Sequence, residues 1–200
     1  MRFASEGYTI ILIGHAGHDE VVGTTGEAPD AIRLVGSVHQ ADCVEVADPD
    51  RVAYLTQTTL SVDDAAEIVG RLQRRFPKLA GPSRADICYA TQNRQESVRQ
   101  LAAQADVVLV VGSQNSSNSQ RLAELARAHG IPAYLIDGPT DIEPDWFRGD
   151  ETVVITAGAS APEDLVQQCV NLLQDRYQAC LEQTKVRDED VRFVLPRELR

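Results

Sequence analysis

Two histidines and a carboxylate lie close together just after the first apolar run of the chain. His15, His18 and Glu20 fall within six residues, and imidazole and carboxylate groups are common proton carriers in enzymes. Because His15 and His18 are three residues apart, a helix would place both on one face, as in a zinc site. No third ligand follows at a convincing spacing. We therefore favour a hydrogen-bonded acid–base pair of His18 and Glu20 beside a bound anion.

The four cysteines stand singly, without the close spacing of a metal motif. In an intracellular chain thiols stay reduced, and we predict that Cys43, Cys169 and Cys180 are buried as small apolar side chains. Cys88 differs because it lies just before a helix that Thr91 is expected to cap. A helix N-terminus favours the thiolate, so Cys88 is a candidate metal ligand or nucleophile.

Four loops rich in Gly, Ser, Thr and Asn each follow a predicted strand and precede a predicted helix. They span residues 15–25, 56–61, 112–119 and 156–160 and hold almost no Lys or Arg. Ligands of parallel sheets collect at the carboxyl ends of strands, and helix N-termini bind anions through backbone N–H groups. The loops therefore suit an anion, with residues 115–119 (NSSNS) as the best candidate. A solvated loop rich in helix caps is the alternative, and no nucleotide P-loop motif is present.

Short strands alternating with helices are expected to position these loops, which predicts an α/β fold with largely parallel sheets. The strands are predicted from β-branched apolar runs at Thr9–Ile13, Val44–Val46, Val52–Leu55, Val107–Val111, Ala133–Ile136 and Thr152–Ile155. Helices are expected from the Ser61 cap to Pro77, from Thr91, and from about Gln120 to a stop at Gly130. A last long helix is expected to open with the capping box at Ser160.

The two halves of the chain look like copies of one another. Residues 11–15 align with 109–113 at an offset of 98, and residues 54–59 align with 154–159 at an offset of 100. Nearly constant offsets at two separate loops favour duplication, although any two doubly wound domains share such spacing. We predict two repeated doubly wound βα domains of about 100 residues each.

Composition excludes several classes of function. The chain of 200 residues carries a net charge of −11, which argues against a nucleic-acid surface. Its apolar runs are far shorter than the ~20 residues that span a bilayer, and only Lys78 and Lys185 are lysines. No secretory signal pattern follows Met1. We expect a cytoplasmic protein that binds neither nucleic acid nor membrane.

Five segments taken together resemble one known family. They are residues 13–21 (IGHAGHDEV), 57–62 (QTTLSV), 86–96 (DICYATQNRQE), 112–122 (GSQNSSNSQRL) and 156–162 (TAGASAP). In this order they resemble the 4-hydroxy-3-methylbut-2-enyl diphosphate reductase family over nearly the whole chain. The resemblance implies three α/β domains in a trefoil around a [4Fe–4S] cluster, with one cysteine from each domain. It also implies the last step of the methylerythritol phosphate route to isoprenoids, in which the substrate's hydroxyl is removed reductively to form isopentenyl and dimethylallyl diphosphate. A donor such as ferredoxin or flavodoxin would supply the electrons.

The resemblance implies roles for individual residues of this sequence. Cys88 would be a cluster ligand, Glu20 the carboxylate that delivers a proton, and Thr58 a residue beside the substrate hydroxyl and the proton relay. The residues that would bind the diphosphate are His18, Ser116, Ser117, Asn118 and Ser160.

The resemblance further implies a part that this chain does not contain. A first domain with two more cluster cysteines would precede it, and Cys43, Cys169 and Cys180 match no ligand position. Residues 1–7 are typical of the last turns of a helix. We therefore expect a fragment or one half of a split enzyme, inactive alone, whose partner could be the N-terminal domain as a separate chain. The predicted divisions are residues 1–82, residues 83–184, and a tail, 185–200, with strand-like Val191–Leu195 against the absent part.

Two rival interpretations remain. One is a non-enzymatic remnant that binds a diphosphate but has lost the cluster. The other is a hydrolase or transferase with Cys88 as nucleophile, which lacks a convincing histidine partner.

Overall fold

Two three-stranded parallel sheets organise the chain, in a computed structural model that describes residues 2–82, 86–187, 191 and 194–196. The first sheet contains β1 (Thr9–Ile13), β2 (Ile32–Val35) and β3 (Val52–Thr56) in the order β2-β1-β3. The second contains β4 (Val107–Val111), β5 (Ala133–Ile136) and β6 (Val153–Ala157) in the order β5-β4-β6. The helices are α1 (Arg2–Ser5), α2 (Asp19–Glu27), α3 (Val38–Cys43), α4 (Val62–Arg75), α5 (Tyr89–Ala102), α6 (Ser117–Ala128) and α7 (Glu163–Tyr177).

The two sheets repeat one topology, which confirms the predicted pair of βα units. The central strands β1 and β4 each pair in parallel with both neighbours. Strand β5 begins 101 residues after β2, and β6 begins 101 residues after β3. Both units therefore present the carboxyl ends of their strands, and the loops that follow, in the same way.

Apart from Thr9 at the start of β1, the central strands β1 and β4 are apolar, because helices cover both of their faces. In β1, Ile11 and Ile13 pack with the helices α3 and α4, whereas Ile10 and Leu12 pack on the opposite side with Val21 of α2. All five residues of β4 are buried and alternate in the same way between two clusters. The sequence predicts both strands correctly, because burial on both faces produces a nearly unbroken run of apolar residues.

The first unit departs from the prediction between its first and third strands. Val44–Val46 is not a strand, and the short helix α3 precedes it, capped by the side chain of Ser37. The second strand is instead β2, in which only the two end residues are buried. As an edge strand with exposed residues at its centre, β2 shows neither an unbroken apolar run nor a clean alternation.

Three helices begin at residues other than those predicted. Cys88, not Thr91, is the N-cap of α5, and Thr91 is buried within its first turn. Helix α6 begins at Ser117 rather than near Gln120. Helix α7 begins at Glu163 with Pro162 as N-cap, so Ser160 lies in the preceding turn and does not cap it.

The cysteine prediction is correct for one residue and wrong for two. Cys169 is buried in α7, with 0% of its surface exposed. Cys43 and Cys180 are exposed, because the first ends a short surface helix and the second follows α7 in a segment without regular structure.

The predicted domain boundary and tail fall partly on residues that lie outside the described ranges, namely 83–85, 188–190, 192–193 and 197–200. The strand predicted at Val191–Leu195 includes two of them, and the described residues 178–187 form no helix or strand. Arg187 of this segment donates to the side chain of Asn93 on α5 at 3.2 Å. None of the helices in the described part of the chain has the length and apolar character needed to cross a bilayer.

Candidate functional site

The Glu20 carboxylate, in the first turn of α2, is held by Thr58, which follows β3. The backbone N–H of Thr58 donates to both carboxylate oxygens at 3.1 Å, and its hydroxyl donates to Oε2 at 2.9 Å. Strands β1 and β3 are neighbours in register, with Ile13 opposite Thr56, so residues that follow the two strands meet at one edge of the sheet. The two residues predicted to be catalytic are therefore in direct contact.

His18 caps α2 and reaches across to the second unit. Its Nδ1 accepts the backbone N–H of Glu20 at 3.2 Å, and its Nε2 lies 2.7 Å from Oγ of Ser117. Because Nδ1 is an acceptor, the neutral ring carries its proton on Nε2 and donates it to Ser117. The predicted pairing of the His18 ring with the Glu20 carboxylate is wrong, since the ring contacts the backbone of Glu20 while the carboxylate turns to Thr58.

Residues 86–88 run alongside the end of β3 and bring Cys88 to the same place. The Asp86 carboxylate accepts the N–H of Thr56 at 2.9 Å, and the N–H of Cys88 donates to the carbonyl of Thr58 at 3.1 Å. Burial raises the pKa of Asp86 above its usual range; the Thr56 N–H opposes this effect and the charge of Glu20 adds to it. Cys88 is exposed at the N-cap of α5. Thr58 thus contacts both the carboxylate and the thiol-bearing residue.

The serine loop, residues 113–119, forms the N-terminus of α6. Oγ of Ser116 accepts both the N–H of Ser119, at 3.3 Å, and its hydroxyl, at 3.0 Å. Ser119 is 1% exposed and occupies the space beside Gly112 and Gly158, where a Cβ on either glycine would overlap its Oγ. The absence of side chains at both glycines allows the ends of β4 and β6 to pack against the first turn of α6.

Asn118 in this first turn is buried without a hydrogen-bond partner. It is 6% exposed, and neither Oδ1 nor Nδ2 is bonded to any described residue. A buried polar group left unpaired costs about 1–3 kcal/mol, so such a group indicates a position for a ligand or water. Asn118 follows Ser117 in the first turn of α6, a helix of twelve residues. Anions are favoured at the N-terminus of such a helix. This part of the site is best suited to an oxyanion.

Ser160, another predicted site residue, lies apart from the others. It lies exposed in the turn between β6 and α7, and it makes no hydrogen bond to another predicted site residue within the described ranges. The loop that contains Ser160 nevertheless lies beside the serine loop. Its Gly158 is so close to Asn118 that a Cβ on this glycine would lie 3.4 Å from Nδ2 of Asn118.

Arg121 is a site residue that the sequence analysis missed. Its Nη2 lies 3.0 Å from Nε2 of His15, and its Nη1 pairs with Glu124 at 2.8 Å and Asp64 at 3.6 Å. Arg121 therefore links α6 to the first unit. It lies beside the polar loops, for which the sequence predicts almost no basic groups. The sequence did offer a signal for Arg121, because it lies four residues after Ser117 and residues four apart share a helix face.

Gln95 of α5 was also missed, and it joins the two units through buried hydrogen bonds. Its Oε1 accepts the N–H of Val62 at 3.0 Å and its Nε2 donates to the carbonyl of Leu60 at 2.8 Å, with 1% of the residue exposed. The neighbouring Arg94 donates to the carbonyl of Ala157 at 3.0 Å. Helix α5 thereby fixes the loop after β3 relative to the end of β6. A polar residue in a helix is usually exposed, so the sequence carried no signal of this role.

The fit of the site to an iron–sulfur cluster depends on Cys88. An exposed thiol at a helix N-terminus is suited to metal ligation, and such clusters are held by several cysteine thiolates. The other cysteines lie elsewhere: Cys43 ends α3, Cys169 is buried in α7 and Cys180 follows α7. Within the described ranges no three His, Cys, Asp or Glu side chains are grouped to hold a metal ion. Among the described residues, Cys88 is therefore the one candidate ligand for such a cluster.

Comparison with known sequences supplies a family for this fold and site. The sequence model of the LytB protein family matches residues 1–174. A protein of Rhodopirellula baltica named 4-hydroxy-3-methylbut-2-enyl diphosphate reductase is 56% identical over 200 residues, which are 100% of this chain and 63% of that protein. A protein of the same name from Hahella chejuensis is 52% identical over 204 residues, covering 100% of this chain and 64% of that protein. The chain thus spans less than two thirds of the length of these relatives.

Comparison with solved structures agrees. The E-1-hydroxy-2-methyl-but-2-enyl-4-diphosphate reductase of Plasmodium falciparum superposes with a TM-score of 0.90 and 34% identity, over 98% of this chain and 62% of that one. A second structure, of an (E)-4-hydroxy-3-methyl-but-2-enyl diphosphate reductase, superposes with a TM-score of 0.50 and 32% identity, over 87% of this chain.

Proposed function

The chain belongs to the LytB protein family, and from that premise we propose that it carries the diphosphate-binding and proton-delivering part of a 4-hydroxy-3-methylbut-2-enyl diphosphate reductase. In this reaction a C–OH bond of the allylic diphosphate is replaced by C–H. Two electrons and two protons are consumed, water leaves, and isopentenyl and dimethylallyl diphosphate are formed. The remaining part of the catalytic centre would come from polypeptide that the longer relatives have and this chain does not match.

The position of Thr58 is the single observation that carries the proposal. Its N–H and hydroxyl hold the Glu20 carboxylate, while its carbonyl holds the N–H of Cys88. A proton donor and a sulfur ligand are thereby attached to one residue. A reductive dehydration needs this combination, because electrons and a proton must reach the same carbon–oxygen bond.

Glu20 and Thr58 would deliver the proton to the leaving hydroxyl. When Glu20 is ionised, the Thr58 hydroxyl donates to its Oε2, as observed at 2.9 Å. When Glu20 is protonated, the hydrogen bond reverses, so the carboxyl donates to Oγ of Thr58. Thr58 can then pass its own proton to the substrate hydroxyl, which leaves as water when its C–O bond breaks. Oγ of Thr58 takes the proton of Glu20 in exchange, so the carboxylate returns to its observed state.

The serine loop and His18 would hold the diphosphate. Ser116, Ser117 and Asn118 place two hydroxyls and an unpaired buried amide at the N-terminus of α6. The Nε2–H of His18 orients Ser117 from the opposite unit. Ser160, exposed at the next loop, would complete the diphosphate site once a ligand is bound. This arrangement binds an anion through neutral donors and partial charges.

Cys88 would hold one iron of a [4Fe–4S] cluster, which supplies electrons when it is bound. The exposed side chain at the N-cap of α5 fits this role. Other cysteines would have to come from a separate segment, and a small iron–sulfur or flavin protein would act as the electron donor.

The test is to combine this chain with the part of the Rhodopirellula baltica relative that it does not match. The two polypeptides are coexpressed, reconstituted with iron and sulfide under anaerobic conditions, and assayed for isopentenyl and dimethylallyl diphosphate. We expect product from the mixture and none from either polypeptide alone. Cys88→Ser should abolish iron binding and turnover, whereas the matched exposed-cysteine control, Cys180→Ser, should leave both unchanged.

A second candidate function is a diphosphate-binding remnant without a cluster, because the described residues include no group of three metal-ligating side chains. This second function predicts that the mixture folds and binds inorganic diphosphate but holds no iron. That result would refute the reductase and favour the remnant.

A further inference from the structure

The two serines that begin α6 already accept hydrogen bonds from the protein itself. Oγ of Ser116 accepts two, from the N–H and the hydroxyl of Ser119. Oγ of Ser117 lies 2.7 Å from Nε2 of His18, which carries the ring proton because Nδ1 is occupied as an acceptor. A serine hydroxyl has two acceptor positions and one proton. The proton of each hydroxyl is therefore the group that remains to meet a ligand.

Ser119 determines that Ser116 accepts, rather than donates, the hydrogen bond between their two hydroxyls. It is 1% exposed, and a buried hydroxyl must donate its proton to some acceptor. Within the described ranges, Oγ of Ser116 is the acceptor to which Oγ of Ser119 is bonded, at 3.0 Å. The Ser119 side chain is also confined by Gly112 and Gly158, whose missing side chains leave just enough room for it. The hydrogen bond consequently runs from Ser119 to Ser116 and not in reverse.

We propose that Ser119 is a positioning residue for diphosphate recognition, which keeps the Ser116 proton turned toward the ligand. The inference rests on the proposed function, because it concerns the same serine loop. Ser119 itself is buried behind the loop and acts through Ser116. The unpaired amide of Asn118, which is more than nine-tenths buried beside it, independently marks the loop as a ligand site.

This arrangement determines which ligands the loop accepts. Two hydroxyl protons fixed as donors match a group that only accepts hydrogen bonds, such as an ionised diphosphate. A ligand that offers its own O–H or N–H to the loop finds the acceptor positions of Ser116 already filled. Selection for a fully ionised diphosphate over a neutral head group thus follows from hydrogen-bond polarity without a lysine or arginine in the loop.

A double-mutant cycle on the 200-residue chain tests the inference, with inorganic diphosphate as probe and isothermal titration calorimetry as readout. Ser119→Ala should weaken binding about three- to tenfold, as expected when a hydrogen bond to a charged group is weakened rather than removed. In a Ser116→Ala background the same substitution should change affinity less than about twofold, because contacting residues that act through each other are not additive. Ser97→Ala, at a half-buried position of α5 where the hydroxyl donates to the carbonyl of Asn93 in the same helix at 2.9 Å, is the matched serine control and should bind as wild type.

Each outcome separates a positioning role from a structural one. An equal loss from Ser119→Ala in both backgrounds would show that Ser119 merely supports the fold, and would overturn the inference. Wild-type affinity in Ser119→Ala would overturn it too, while leaving the diphosphate site intact. Failure of the wild-type chain to bind diphosphate would overturn the proposed site, and the inference with it.

Discussion

Replacement of Glu20 by Gln isolates the proposed proton delivery from binding. The amide keeps the size of the side chain and one acceptor oxygen, so it can still accept the N–H of Thr58, while its NH2 group faces the Thr58 hydroxyl. That hydroxyl can turn and accept. The proton that Glu20 would supply is lost, because an amide does not ionise in the physiological range.

The expected magnitudes follow from these contacts. A positioned general acid contributes about 10²- to 10⁴-fold to a rate, so kcat of the reconstituted enzyme should fall by at least two orders of magnitude. Among the described residues the Glu20 carboxylate bonds to Thr58 alone, so diphosphate affinity should change less than about threefold. The free energy of unfolding should fall by about 1 kcal/mol, for one altered hydrogen bond at a half-buried position.

The assay is single-turnover reduction of substrate under anaerobic conditions, with iron content and inorganic-diphosphate affinity measured on the same sample. Glu27→Gln, at the exposed C-terminal end of the same helix, is the matched control and should leave all three unchanged. Near-normal turnover in Glu20→Gln would refute the assignment of the proton donor. Loss of turnover together with loss of iron would instead show that Glu20 supports the cluster.

Three further substitutions test the packing and electrostatics of the site. Gly158→Ala should lower the free energy of unfolding by about 1–3 kcal/mol in a urea titration, because the new Cβ overlaps the Ser119 hydroxyl. The control is Gly23→Ala on α2, where a Cβ has open space, and it should raise the free energy of unfolding by about 0.5–1 kcal/mol. Gln95→Leu should cost about 2–4 kcal/mol, because it leaves a buried N–H and carbonyl unpaired, and a loss below about 1 kcal/mol would contradict the proposed link between units. Burial raises the pKa of Asp86 in the folded state, so the native protein binds the Asp86 proton more tightly than the unfolded chain does. The contribution of Asp86 to stability therefore falls as the pH rises from 3.8 through the pKa of the folded state. Asp86→Asn should therefore be more stable than wild type at pH 7, with a gain that disappears at low pH; an equal difference at every pH would contradict this.

Local sequence patterns were sufficient for the elements buried on both faces and for several helix ends. The runs Thr9–Ile13 and Val107–Val111 are strands as predicted, and Ser61 caps α4. Gly7 and Gly130 adopt positive φ at helix ends, where glycine is favoured. The recurrence of similar loops about 100 residues apart revealed two units, which the repeated strand order confirms.

Elements without a continuous apolar pattern were misread. The edge strand β2 buries two of its four residues, and the short helix α3 buries one, so neither produces a clear period. Exposure of Cys43 and Cys180 was missed for a related reason, because the burial of a small side chain depends on what packs over it and not on its neighbours in sequence.

The residue types of the candidate site were recognisable from sequence, but their connections were not. Glu20 and Thr58 are 38 residues apart, and His18 and Ser117 are 99 apart. A hydrogen bond between such residues depends on the register of parallel strands and on how α5 and α6 bring the two units together, and no local pattern encodes either. The tertiary structure therefore decided that Glu20 bonds to Thr58 rather than to His18, that Cys88 is tied to Thr58, and that Ser119 directs the hydroxyl of Ser116. Side-chain chemistry is a local property of the chain, whereas the polarity of a hydrogen-bond network depends on every group that folding brings within about 3 Å.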